Sequence, residues 1–184
     1  MLRITKHFLL LVLFSFLVTS CDKDEENPIE ENEEELITTV KLTLTNKSNA
    51  SETVTATWKD PEGDGSPIIT GLTLKPGTTY DGRIEFLDES NPANVKDITD
   101  EIEKEGDAHE IFYTVTGAAM NVNKTDADNK GFPLGLTTTF TAATTSSGTL
   151  TITLKHKPDG LKQAGDDINV GSTDAEPVFP VSIQ

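Results

Sequence analysis

The sequence predicts an all-β fold: an antiparallel β-sandwich of immunoglobulin-like or jelly-roll-like type, with one short inserted helix. Three observations carry that expectation. Polarity flips residue by residue through most of the chain between Val40 and Leu154. Successive side chains of an extended strand point to opposite faces, so such alternation marks strands buried on one side. Between the alternating stretches lie short clusters of Gly, Pro, Asn, Asp and Ser, the residues that favour turns. Only one segment shows helical spacing instead.

The elements can be justified in order. In Thr38 to Thr45, Val40, Leu42 and Leu44 share one face; Thr39, Lys41, Thr43 and Thr45 share the other. In Glu52 to Lys59, Val54, Ala56 and Trp58 oppose Thr53, Thr55 and Thr57. Threonine suits the wet face because its branched Cβ fits an extended backbone. Asn46 to Ser51 supplies the turn between these two strands. Further strands are expected over Ile68 to Leu74, Thr79 to Leu87, His109 to Val115, Leu136 to Ala142, Thr149 to His156 and Pro177 to Ile183. Pro180 points to a sheet edge, since proline cannot donate to a ladder. The helix is expected after Asn91, where Val95, Ile98 and Ile102 form one apolar stripe, Asp97 stands as cap and Gly106 as terminator. About eight short strands with polar turns indicate two packed sheets. Residues 36–184 are read as one domain, a normal size for a single core.

The residues before that domain carry a different message. Arg3 and Lys6 precede the unbroken apolar run Phe8 to Val18, and Val18, Thr19 and Ser20 lead to Cys21, the only cysteine. This is the layout of a secretory signal over residues 1–20, with an apolar run too short to span a bilayer. The stretch ending at Cys21 resembles the lipobox of bacterial lipoproteins. The resemblance implies cleavage before Cys21 and acylation of its sulfur and amine. Each buried methylene contributes about 0.8 kcal/mol, so several chains hold a protein to a membrane durably. Residues 21–35 follow as an acidic tether, in which nine of the fourteen residues after Cys21 are Asp or Glu. Such a run repels itself and buries nothing, so it is expected to be disordered and extended. Lys23, Asp24 and Glu25 also resemble the surface-export signal of Bacteroidota-type lipoproteins. That resemblance implies an outer-membrane lipoprotein facing outward; the periplasmic face is the alternative.

Charge and cysteine usage exclude several classes. The formal net charge is −16, and without Arg3 and Lys6 only 13 basic residues face 31 acidic ones. Nucleic acid is therefore not an expected partner, because phosphate binding needs clustered Lys and Arg. One cysteine excludes an internal disulfide framework. The partners expected are the membrane, through lipid on Cys21, and a protein or small ligand that the sequence does not identify.

Two sets of residues are candidate sites. Asp60, Glu62 and Asp64, with Gly65 next, have the spacing that opens an EF-hand calcium loop. Position twelve of such a loop would be Gly71 rather than a bidentate Glu, and the flanks are strand-like. A looser calcium site or a solvated hairpin turn remains. The loops carrying Asp126, Asp128 and Asn129, and Asp166, Asp167, Asp174 and Glu176, read the same way. The second set is His109 and His156. His109 opens its strand on the face of Ile111, Tyr113 and Val115; His156 closes its strand on the face of Leu150, Ile152 and Leu154. If those strands are antiparallel neighbours, the imidazoles meet at one rim, an arrangement that would suit a transition metal such as copper, zinc or iron. Asp107 or Glu110 would be the nearest third ligand, although Glu110 points to the opposite face by parity. The bland alternative is two rim histidines bonded to backbone carbonyls.

No nucleophile elbow and no phosphate-cradling glycine loop is present. The function expected is a non-enzymatic, membrane-anchored binding module. A metal-binding lipoprotein using His109 and His156 is the alternative, and a hydrolase with a carboxylate pair is a further one. The stretches Thr79 to Ser90, Asp97 to Tyr113 and Leu154 to Gly160 resemble chains labelled type 1 periplasmic-binding folds. That resemblance implies strands alternating with helices in a chain about twice as long. The alternating polarity implies the sandwich.

Overall fold

The computed structural model describes residues 35–184. The chain divides into two units, Met1–Glu33 and Glu34–Gln184, and all the described residues belong to the second. Twelve strands and one helix follow one another: β1 (Thr39–Asn46), β2 (Thr53–Lys59), β3 (Ile68–Thr70), β4 (Leu72–Leu74), β5 (Thr78–Asp88), β6 (Lys96–Asp97), α1 (Thr99–Lys104), β7 (His109–Thr116), β8 (Met120–Lys124), β9 (Thr137–Ala142), β10 (Ser146–His156), β11 (Ser172–Ala175) and β12 (Val178–Ile183). They form two sheets. The first has the order β3-β2-β1-β5-β9-β8, with β6 also pairing β5. In the second, β10 carries β7 on one side and β12 and β11 on the other, and β4 completes the sheet beside β12. Every pairing between strands is antiparallel except β12 with β4.

The expected all-β sandwich is therefore what the described residues form. The alternating strand–helix layering implied by the periplasmic-binding resemblance is not. The physical reason is the period of two. Val40, Leu42 and Leu44 from β1, Tyr80, Ile84 and Phe86 from β5, and Phe140 from β9 present one oily face. Ile111, Leu150, Ile152, Leu154, Phe179 and Val181 present the other, and all of these side chains join a single buried cluster. Each fully buried Leu, Ile or Phe contributes roughly 1.5–3 kcal/mol relative to an exposed one.

Four expectations need correction. The single strand read over Ile68 to Leu74 is two strands in different sheets, β3 in the first and β4 in the second. The change of sheet happens at Gly71, where a Cβ would lie 2.4 Å from the carbonyl oxygen of Pro180. Only glycine lets the two backbones pass so closely. Pro180 does not mark an edge strand: β12 lies between β10 and β4, and Pro180 stands one residue before the parallel pairing with β4 begins at Val181. The helix is six residues long, and Val95 is outside it and 48% exposed, whereas Ile98 and Ile102 are buried as the stripe required. Its N-cap position is Ile98, without a side-chain cap, although Asp97 Oδ1 still accepts the amide of Thr99. Trp58 is only partly buried, packed against the core from outside it.

A histidine pair as a candidate metal centre

The pairing of β7 with β10 runs from Thr116 opposite Thr149 to His109 opposite His156. Because the strands are antiparallel, the first residue of one meets the last of the other. The two imidazoles stack, with ring centroids 4.7 Å apart and planes 10° from parallel. Both residues are buried, His109 at 2% and His156 at 8% exposure. They continue the core-facing rows of Ile111 and Leu154, so the pair forms the end of the apolar core.

A third group arrives through a defect in the ladder. Leu154 pairs with Ala175, but the next residue, Lys155, pairs with Thr173. Asp174 is thus the extra residue of a β-bulge. In an unbroken register it would lie opposite Lys155, on the outer face, where Thr173 now accepts from Lys155 Nζ at 2.8 Å. The bulge re-aims it, as bulges do. A nitrogen of His109, a nitrogen of His156 and a carboxylate oxygen of Asp174 lie within 4.8 Å of one another. β11 can lie this close to β10 because Gly171, at φ +80°, leads into it; a Cβ there would sit 2.2 Å from the carbonyl oxygen of His156.

The protonation of His109 is fixed by its neighbours. Nδ1 lies 3.1 Å from the carbonyl oxygen of Glu105. A carbonyl can only accept, so Nδ1 carries the hydrogen and Nε2 the lone pair. Burial pushes the imidazole down to about 4; the Glu105 carbonyl opposes that, and His156 and Lys162 add to it. The ring is therefore neutral at neutral pH. A neutral imidazole whose far nitrogen donates to a carbonyl is the form that binds metals.

The elements around the pair are held by buried ion pairs. After α1, the turn Glu105–Ala108 closes with the Ala108 amide donating to Glu105 and the Lys157 amide donating to Ala108. Lys162, fully buried, donates to the Gly106 carbonyl at 2.7 Å and pairs with Asp128 at 2.9 Å. Lys157, also fully buried, pairs with Glu110 at 2.7 Å and with Asp166 at 3.5 Å. Lys124 reaches the other Glu110 oxygen at 2.5 Å and lies 4.2 Å from the Phe112 ring centre. These contacts tie the loops after β8 and β10 to the turn that presents His109.

A second donor set shares His109. Carboxylate oxygens of Glu35 and Glu105 and a nitrogen of His109 also lie within 4.8 Å of one another. Glu35 is half-buried. Burial first, then the charges of Glu101, Asp174 and Glu105, push its carboxyl up to about 7.

The sequence-derived candidates fare differently. The histidines meet as parity required, but neither Asp107 nor Glu110 is their partner: Asp107 pairs with Lys130 at 3.1 Å, and Glu110 faces two lysines. Asp174 is grouped with both histidines, and Glu35 with His109 alone. Asp174 was legible only as one acid in a polar loop, and Glu35 only as the last acid of the tether. Asp60, Glu62 and Asp64 form a turn. Asp60 accepts the amides of Asp64 and Gly65 at 3.2 and 3.0 Å, Asp64 accepts the amide of Ser66 at 2.9 Å, and Glu62 and Asp64 are exposed. Asp126, Asp128 and Asp167 likewise accept loop amides. Cys21, Lys23, Asp24 and Glu25 lie outside the described residues. A groove of about 560 Å³ on the outer face of the first sheet is lined by Thr43, Asp81, Arg83 and Glu85 among others. Two of its carboxylates are engaged, Asp81 with Lys47 and Glu85 with Lys41.

Among the described residues no helix is long and apolar enough to cross a membrane. The chain matches no protein-family model, no curated protein and no solved structure.

Proposed function

We propose that this protein is an envelope lipoprotein, anchored through Cys21, whose β-sandwich binds a divalent transition-metal ion at His109, His156 and Asp174 without catalysing a reaction. One observation carries the metal reading: two buried imidazoles and a carboxylate, from three strands, with donor atoms within 4.8 Å of one another. Two nitrogens and an oxygen suit zinc or ferrous iron better than a hard cation such as calcium, which takes oxygen ligands. Zinc bonds of about 2.0–2.1 Å place tetrahedral donors about 3.3 Å apart. The stacked rings therefore tilt toward each other when the ion enters. The anchor reading rests on the apolar run Phe8 to Val18 ahead of the lone Cys21, and on the acidic stretch after it.

Zinc titration by calorimetry, on the full chain in detergent, tests the metal reading. The expected result is one ion per chain, with affinity reduced at least about 100-fold in His156→Ala. Equal affinity in that variant, checked to be folded by circular dichroism, or no binding in wild type, refutes it. Mass spectrometry of the N-terminal fragment tests the anchor; an unmodified Cys21 refutes it.

A further inference from the structure

We infer that Glu35 is a further ligand of the ion held by the histidine pair, so that metal binding fixes the chain where it runs into β1. The inference rests on the metal reading above and adds a ligand and a mechanical consequence.

Three observations converge on it. Glu35 belongs to a donor set that shares His109, so one of its oxygens lies within 4.8 Å of a nitrogen of the same imidazole. Its Oε2 is buried without a hydrogen-bond partner. A buried carboxylate oxygen left unsatisfied is unfavourable unless something positive reaches it. Finally, the charges acting on Glu35 are those of Glu101, Asp174 and Glu105, all of its own sign. Glu110, Asp128 and Asp166 show how this protein otherwise treats an enclosed carboxylate, since each faces a lysine.

Charge counting agrees. As ligands, Asp174 and Glu35 bring two negative charges and the imidazoles none, which balances a divalent cation. Glu35 is grouped with His109 and Glu105 rather than with His156 and Asp174, so its side chain swings toward the pair to complete the four-donor shell that a structural zinc site takes. Glu105 is exposed and already holds His109 through its carbonyl, so its carboxylate is not needed. Glu35 lies four residues before Thr39, where β1 begins. An ion bound to it ties the segment 35–38 to the ends of β7 and β10.

The test compares wild type, Glu35→Ala and His156→Ala as full chains in detergent, by zinc titration and hydrogen exchange of the peptide covering residues 35–38. The expected result has three parts. Glu35→Ala binds zinc about tenfold more weakly. Zinc slows exchange in that peptide in wild type but not in Glu35→Ala. Without zinc, Glu35→Ala melts at a higher temperature than wild type, because a buried carboxylate oxygen without a hydrogen-bond partner has gone. Glu35→Ala with wild-type affinity and wild-type protection overturns the inference and leaves the histidine site standing. Wild type that binds no zinc overturns both.

Discussion

His109 and His156 occupy directly opposed positions at the end of the β7–β10 ladder, and their rings stack 4.7 Å apart. Neither position is free to move far, because each residue continues a row of buried core side chains. The pair is thus built into the fold by register, and its chemistry follows from burial and from the Asp174 bulge.

Metal binding should therefore appear as stability. A ligand that binds only the folded state adds about 2.7 kcal/mol at a hundred times its Kd. Zinc should raise the melting temperature of wild type and leave that of His156→Ala unchanged. A zinc-dependent rise of the same size in both would place the ion elsewhere.

The metal-free domain should show an unusual pH profile. Burial lowers His109 to about 4 from 6.5; the Glu105 carbonyl and Asp107 oppose this, and His156 and Lys162 add to it. Below 6.5 the unfolded chain takes up a proton that the folded domain refuses, so this stability is lost as pH falls from 6.5 toward 4. Glu35 is raised to about 7 from 4.5 by burial, Glu101, Asp174 and Glu105. Above 4.5 the unfolded chain releases a proton that the folded domain keeps, so this stability is lost as pH rises from 4.5 toward 7. Between 4.5 and 6.5 the two slopes oppose each other. In chelator, Glu35→Ala should gain stability with pH across that window relative to wild type. The His109 slope is at most about 1.4 kcal/mol per pH unit. Parallel denaturation profiles for the two proteins would contradict the Glu35 assignment.

The two buried lysines should not be equivalent. Lys162→Met leaves Asp128 buried without its cation, a loss of about 3–5 kcal/mol for a broken buried pair. Lys157→Met leaves Glu110 still facing Lys124, so the loss should be smaller. Urea denaturation of both variants checks the order, and equal midpoints would show that Lys124 does not compensate.

Gly171→Ala should harm the site and the fold together. The new Cβ meets the His156 carbonyl at 2.2 Å in a backbone conformation that disfavours side chains. Overpacking of this kind costs about 1–3 kcal/mol, and the shift of β11 should carry Asp174 away and weaken zinc binding. By contrast, Gly63→Ala, also at positive φ but with open space around it, should leave zinc affinity unchanged. Unchanged zinc affinity in folded Gly171→Ala would show that the close approach does not position Asp174.

Much of this architecture is legible in the sequence because strand faces obey a local rule. Val40, Leu42 and Leu44 announce a face without knowledge of what covers it, and parity alone puts each histidine on the core side of its strand. What escapes is decided by contacts distant in sequence. Gly71 looks like any glycine in a strand until Pro180 passes beside it. Ser172–Ala175 has no apolar alternation, so β11 leaves no periodic signal. The bulge that turns Asp174 inward breaks the very parity by which strands are read. Glu35 closes an acidic run in composition, yet its side chain belongs to the domain, and nothing local separates it from Glu33 or Glu34.

The shell of the bound ion is the most direct test of the whole account. X-ray absorption at the zinc edge, on the loaded full chain, should show two imidazole nitrogens and two carboxylate oxygens near 2.0–2.1 Å, with the nitrogen signal reduced in His156→Ala. A spectrum of oxygen ligands alone, unchanged in that variant, would mean that the histidine pair does not hold the metal.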